Sequence, residues 1–298
     1  MERIHVKGNT WCLKGRQLVP YYQLDESRCI LLDAGRVGDR EAIDGALQEA
    51  GLTPCGVILT HMHFDHLENV GYFKEKYGIP AAMPRGEAEI CRNARSLKNH
   101  LYCFTPGIVS ESPRLQDLVC PIERPIEFEE ETLSFQGATF GIFHSPGHAP
   151  DHICIITPDN VGYVGDAILS GEDLEQAKVP FVFGMELDLE TKARMKSMDC
   201  DLYIVAHCGI FSSISEIIDQ NVERMKQQLE TMRSLITKPM NFCECYEVIN
   251  EALGQEVFHP VWALHLERYI RPYLDYLVDT KQVKLVIGKG SPTLAPME

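Results

Sequence analysis

The chain has 298 residues, 45% hydrophobic and 24% charged, proportions of a folded globular protein rather than a disordered or fibrous one. Lys and Arg number 28 against 43 Asp and Glu, a formal charge of −15 that counts against a nucleic-acid partner while leaving local basic patches open. The opening MERIHVKGNTWC has no basic start followed by an apolar run, no apolar stretch nears the ~18 residues of a membrane helix, and eleven scattered cysteines fit reduced thiols, so a cytoplasmic protein with no membrane partner is expected.

Residues 1–32 read as short strands broken by turns, the last being Arg28–Leu32, which runs into Asp33-Ala-Gly35. Ile43, Leu47 and Ala50 at helical spacing predict a helix over 37–50, stopped by Gly51. Gly56–Thr60 is a buried strand. Leu67, Val70, Phe73 and Tyr77 then predict one helix over 65–77. This alternation is that of an α/β fold. The proline-rich stretch 98–125 reads as a long surface loop or a lid over substrate. Strand pairs follow at 126–143, turning at Gly137, and at 153–164, turning at Pro158-Asp-Asn160. After Ser215 the chain becomes helical, over 217–235, 242–253 and 261–278, with Pro272 expected to bend or break the third. A strand at 283–287 and a Gly/Pro-rich end complete it. Two domains are therefore expected, 1–214 and a small, mostly helical 215–298.

The stretch Thr60-His61-Met62-His63-Phe64-Asp65-His66 lies between a buried strand and an amphipathic helix. His61 and His63, two apart on extended backbone, project to the same side, and Asp65 and His66 open the helix, where an acidic group is favoured. His148, Asp166 and His207 each follow a strand or turn that would deliver them to the same sheet edge. Five imidazoles and two carboxylates make a donor set for two metals, suited to zinc and also to iron or manganese.

The pattern His61-x-His63-x-Asp65-His66, then His148, Asp166 and His207, resembles the metallo-β-lactamase superfamily, and Leu31-Leu-Asp33-Ala-Gly35 resembles its early strand-and-turn motif. The resemblance spans residues 1–214 and implies an αββα sandwich. It also implies roles: His61, His63 and His148 on a first metal, Asp65, His66 and His207 on a second, and Asp166 bridging both. Asp65 would also orient the attacking water and take its proton. Two Zn2+ are expected, because flavodiiron-type relatives carry Glu where His63 stands.

Pro146-Gly-His148-Ala-Pro-Asp-His152 is similar to the hydroxyacylglutathione hydrolase motif, with Asp151 in place of Gly, but basic residues for glutathione are not evident. Leu264–Ile270 with Lys281–Ile287 weakly resembles the winged-helix appendage of a hydrolase branch that includes endoribonucleases. Nine Lys and Arg against twelve Asp and Glu from Ser215 onward argue against a grip on phosphates, and a packing or dimerisation unit fits equally. The leading expectation is a binuclear zinc hydrolase of a small ester, thioester or lactone. The alternatives are a metal-dependent nuclease or phosphodiesterase and a mono-iron persulfide dioxygenase. A homo-oligomer is left open.

Outside the set, Asp33 reads as an orienting residue and His152 as a structural hydrogen-bonder, with a substrate or supporting role as its alternative. His100 and His144 read as structural or surface residues, Cys208 as packing beside the site, and Cys243-x-Cys245 as ordinary core. Tyr21, Tyr22, Tyr102, Phe104 and Tyr163 read as core or lid packing.

Overall fold

The computed structural model describes residues 1–101, 113–257 and 260–297. Seven strands form the first sheet in sequential order: β1 (Glu2–Lys7), β2 (Thr10–Lys14), β3 (Leu18–Gln23), β4 (Arg28–Leu32), β5 (Thr53–Ile58), β6 (Ala81–Pro84) and β7 (Arg124–Ile126). The first four are antiparallel meanders and the last four run parallel. Parallel neighbours need crossovers, and these carry α1 (Arg40–Glu49), α2 (Phe64–Leu67), α3 (Val70–Tyr77), α4 (Arg85–Cys91), α5 (Ala94–Leu101) and α6 (Pro113–Gln116). The second sheet has the order β13-β12-β11-β10-β9-β8, built from β8 (Thr132–Phe135), β9 (Ala138–His144), β10 (Ile153–Ile156), β11 (Val161–Tyr163), β12 (Leu202–Val205) and β13 (Gly209–Phe211).

Side-chain alternation assigns the layers. On β4, Cys29 and Leu31 enter the core beneath α1 and α3, while Ile30 and Leu32 enter the core between the sheets. On β12, Ile204 joins the inter-sheet core, whereas Tyr203 and Val205 face the helices beyond. Each sheet is thus buried on both faces, which is why these strands read as unbroken apolar runs. The result is the αββα sandwich.

The helices beyond the second sheet are α7 (Gly171–Gln176), α8 (Met185–Met195) and α9 (Ser215–Leu235). After them come β14 (Met240–Asn241), α10 (Phe242–Ala252), α11 (Pro260–Asp279), β15 (Val283–Gly288) and β16 (Ser291–Pro296). Val179, Val182 and Met185 share a core with Met225, Ile249, Tyr273, Leu274 and Leu294. Helix α8 belongs to both assemblies, since its Met195 packs in the sandwich. Among the described residues no helix is long and apolar enough to cross a membrane, and the cysteines are free.

Several elements differ from expectation. The helix over 65–77 is two helices, because the Asn69 side chain donates to the carbonyls of Ala34 (2.9 Å) and Arg36 (2.7 Å) and fixes the break. Helix α11 passes through Pro272 unbroken. Burial of Ile270, Tyr273, Leu274 and Leu277 on either side outweighs a proline penalty of about 3 kcal/mol. The Gly/Pro-rich end is strand β16, turned back on β15 by Lys289 and Gly290, both at positive φ as a two-residue hairpin requires. In the described part of the stretch 98–125, α5, α6 and β7 take up its two ends and a turn between them, and Leu118 and Cys120 are buried. The lid reading, with Tyr102 and Phe104, falls largely outside the described residues. Cys245 is buried, but Cys243 is exposed.

Candidate metal centre

The site forms where β5, β11 and β12 end and where the 145–152 loop joins β9 to β10. Asp33, just past β4, is fully buried with φ +62. Its carboxylate accepts from the Thr60 amide (2.7 Å), the Thr60 hydroxyl (2.8 Å), His66 Nδ1 (2.6 Å) and the Tyr163 hydroxyl (2.6 Å). These bonds settle two tautomers. His66 donates from Nδ1, so Nε2 is the nitrogen that faces the site. The Thr60 hydroxyl, committed to Asp33, accepts from His61 Nδ1 at 2.9 Å, which turns the His61 Nε2 lone pair inward as well. Asp33 is therefore the orienting residue that the sequence suggested.

All seven sequence-predicted donors converge. One set is His61, His63, His148 and Asp166, the other Asp65, His66, Asp166 and His207, and within each set one ligand atom per residue lies within 4.8 Å of the others. Asp166 is common to both. Its carboxylate is 3.3 Å from His66 Nε2, 3.5 Å from His148 Nε2 and 3.2 Å from His207 Nε2. His63 Nδ1 and His148 Nε2 approach to 2.9 Å. His61 Nε2, His66 Nε2 and Asp166 Oδ1 are buried without a hydrogen-bond partner. Such orphaned acceptors are costly unless something else satisfies them, and imidazole nitrogen with carboxylate oxygen is a donor chemistry that fits zinc.

The electrostatics separate the two sets. Burial pushes His61 far below the usual imidazole range and takes His63 and His148 down to about 3, holding all three neutral. Burial acts the same way on His207, but Asp166 and Asp65 outweigh it and raise that imidazole to about 10. Burial would raise Asp65 and Asp166, yet the neighbouring His66 and His207 hold both carboxyls low.

Supporting residues complete the frame. His152 accepts from the Asp166 amide at 3.3 Å through Nε2 and bonds the Ser145 hydroxyl at 2.8 Å through Nδ1, so it carries the backbone of the shared carboxylate. Gly165 sits at φ +52, where a Cβ would lie 2.7 Å from His152 Nε2. Glu87, fully buried, accepts from the amides of Met62 (3.2 Å) and Asp151 (3.0 Å) and ties the two ligand-bearing loops together. His144 is buried and bonded to the Glu130 carbonyl, and Cys208 packs against Ser170. Tyr163 belongs to the Asp33 network, whereas Tyr21 is core.

Besides Glu87, four participants had not been anticipated. Arg36 donates to Asp65 at 3.1 Å, and Gln17 donates to the Asp65 carbonyl. Phe181 lays its ring against His63 (5.4 Å) and His148 (5.5 Å), and Tyr269 of α11 packs on Phe181 (4.8 Å). Arg36 adjoins the Asp33-Ala-Gly35 turn and was within reach of the sequence. Phe181 and Tyr269 come from remote segments without a local signal.

The sequence model described as "Metallo-beta-lactamase superfamily" matches residues 17–207. The chain belongs to the metallo-beta-lactamase superfamily. It is a metal-dependent hydrolase of that superfamily. A metallo-beta-lactamase family protein from Thermus thermophilus superposes with a TM-score of 0.72 at 19% identity, covering 94% of each chain. An atrochrysone carboxyl ACP thioesterase of Passalora fulva is 22% identical over 83% of this chain, which spans 66% of that protein's length. The hydroxyacylglutathione hydrolase GloC of Haemophilus influenzae is 25% identical over 64% of this chain and 85% of its own length.

Proposed function

We propose that this superfamily member is a binuclear zinc thioester hydrolase acting on a small acyl thioester. The observation that carries the reading is the pair of donor sets sharing Asp166, with partnerless buried nitrogens aimed into them. In this reading His61, His63 and His148 hold one ion, Asp65, His66 and His207 the other, and Asp166 both. The thioester class is supported by two similar proteins named for thioester substrates, an ACP thioesterase and a hydroxyacylglutathione hydrolase.

Bound zinc would supply Lewis acidity toward the thioester carbonyl and a hydroxide at neutral pH. The chain's own residues do the rest. Asp65 is the catalytic carboxylate, orienting the attacking water and accepting its proton. Arg36 steadies Asp65 by donating to its Oδ2 at 3.1 Å. Asp33 keeps His66 and His61 in the tautomers that present Nε2. Phe181 excludes water beside His63 and His148.

The test is elemental analysis of the purified chain followed by three assays. About two zinc per chain, as the two-ion chemistry requires, with turnover of acyl thioesters, supports the reading. Faster turnover of phosphodiesters would replace it with the nuclease alternative. One iron per chain with oxygen uptake on a persulfide would replace it with the dioxygenase.

A further inference from the structure

We infer that the pocket between α5, residues 181–183 and α11 receives the acyl group, and that its chemistry selects a planar, ring-bearing acyl group over a linear one. The inference rests on the thioesterase reading. The pocket holds about 460 Å3, and its walls include His100, Phe181, Phe183, Arg268, Arg271 and Pro272. That volume accommodates a bounded small-molecule group. A carrier arm on the thiol side has to lead out to solvent, which leaves the pocket to the acyl side.

Position comes first. Phe181 is shared between pocket and metal centre: its ring packs against His63 and His148 and also lines the pocket. A group seated there lies against the ring that abuts His63 and His148. The wall chemistry comes second. The Phe183 and His100 rings lie nearly parallel, 15° apart with centroids at 6.2 Å, and Phe183 is a large apolar ring left 47% exposed. The Arg268 guanidinium stands over the Phe181 ring at 5.6 Å and reaches His100 Nε2 at 3.2 Å. Arg271 is held by Asp275 at 2.8 Å and lies over Phe242 at 4.0 Å. Aromatic faces beside guanidinium groups favour flat rings through stacking and cation–π contact, and the guanidinium N–H groups can meet oxygen substituents on such a ring. A linear chain gains only area from these walls.

The experiment compares N-acetylcysteamine thioesters of acetate, octanoate and 2-naphthoate with the full-length zinc-loaded enzyme. In parallel, binding of free 2-naphthoate to the metal-free protein is followed by its fluorescence. The naphthoyl thioester should exceed the octanoyl one at least tenfold in kcat/KM. Phe183→Ala should cut that ratio tenfold and weaken naphthoate binding to the metal-free protein by a similar factor. Arg268→Met is the second variant, in case Phe183→Ala folds poorly, and should lower both readouts at least threefold. An octanoyl preference, or unaltered naphthoate binding in both variants, overturns the pocket assignment. Naphthoate binding that depends on Phe183, without turnover of any thioester, supports the pocket and overturns the thioesterase reading instead.

Discussion

Asp33 illustrates how much one buried carboxylate can determine. It collects four donors and through them orients one imidazole of each donor set. Asp33→Asn presents an amide N–H where an acceptor is needed, which breaks the tautomer preference of His66. Zinc affinity is expected to fall by 10–100-fold, measured by competition with a chromophoric chelator, and an unchanged affinity would remove Asp33 from this role. Glu87 is the second residue of this kind. Burial pushes its carboxyl up to about 7, against the lowering effect of its two backbone N–H partners. Its folded-state pKa therefore exceeds the ordinary 4.5, and the native state retains a proton that the unfolded chain has released. Stability should decline as pH rises between about 4.5 and about 7 and level off above, by on the order of 3 kcal/mol at most. Urea unfolding at pH 5 and pH 7.5 checks this. Glu87→Gln should lose less stability between the two values than the wild type does, and parallel curves would refute the assignment.

The elements show what a sequence discloses and what it hides. Strands β4, β5 and β12 were legible because apolar runs bounded by turn residues have few other meanings, and the segments after β5 and β12 brought His61, His63, Asp65, His66 and His207 with them. The break between α2 and α3 was hidden because it depends on Asn69 reaching backbone carbonyls more than thirty residues away in the chain. Strand β16 was hidden by its prolines, which sit at Pro292 and Pro296, beyond the two residues that pair with β14. Helices α7 and α8 lie where flanking glycines and prolines mask a weak helical period. The turn after β11 supplies a test at this scale. Gly165→Ala would strain a left-handed backbone and drive a methyl group into His152. Asp166 would shift with it, and zinc stoichiometry should drop below that of the wild type. Full stoichiometry in Gly165→Ala would mean that the turn yields without moving Asp166.

At the scale of the molecule, the sandwich and the C-terminal elements are welded by one apolar core. Truncation after residue 214 would expose Val179, Val182 and Met185 and remove Tyr269 from the site. Such a chain is expected to aggregate or to melt at markedly lower temperature, as read by calorimetry and light scattering, and a soluble monomer of unchanged Tm would contradict the shared core. Metal removal acts on the whole fold as well. A ligand that binds only the native state stabilises it by about 4 kcal/mol at a thousandfold excess over its Kd, so chelation should lower Tm by several degrees. An identical Tm before and after would argue against ions held by this site. The candidate donor residues could be proposed from residue type, strand-end position and family resemblance, but the pocket could not, since its walls come from segments more than eighty residues apart and meet only through tertiary packing.

Helix α8 stands between these assemblies. Its Thr191 donates to the Pro146 carbonyl at 2.6 Å and its Arg194 to the His144 carbonyl at 2.5 Å, while the Phe183 amide donates to the Gly147 carbonyl at 2.7 Å. The loop bearing His148 is thus propped by the helix that the sandwich shares with the C-terminal core, whereas His66 and His207 follow strands of the sandwich sheets directly. The two halves of the centre consequently have unequal scaffolding. As the C-terminal core loosens on warming, the half that includes His148 should let go first, and the protein would pass through a singly loaded stage before it unfolds.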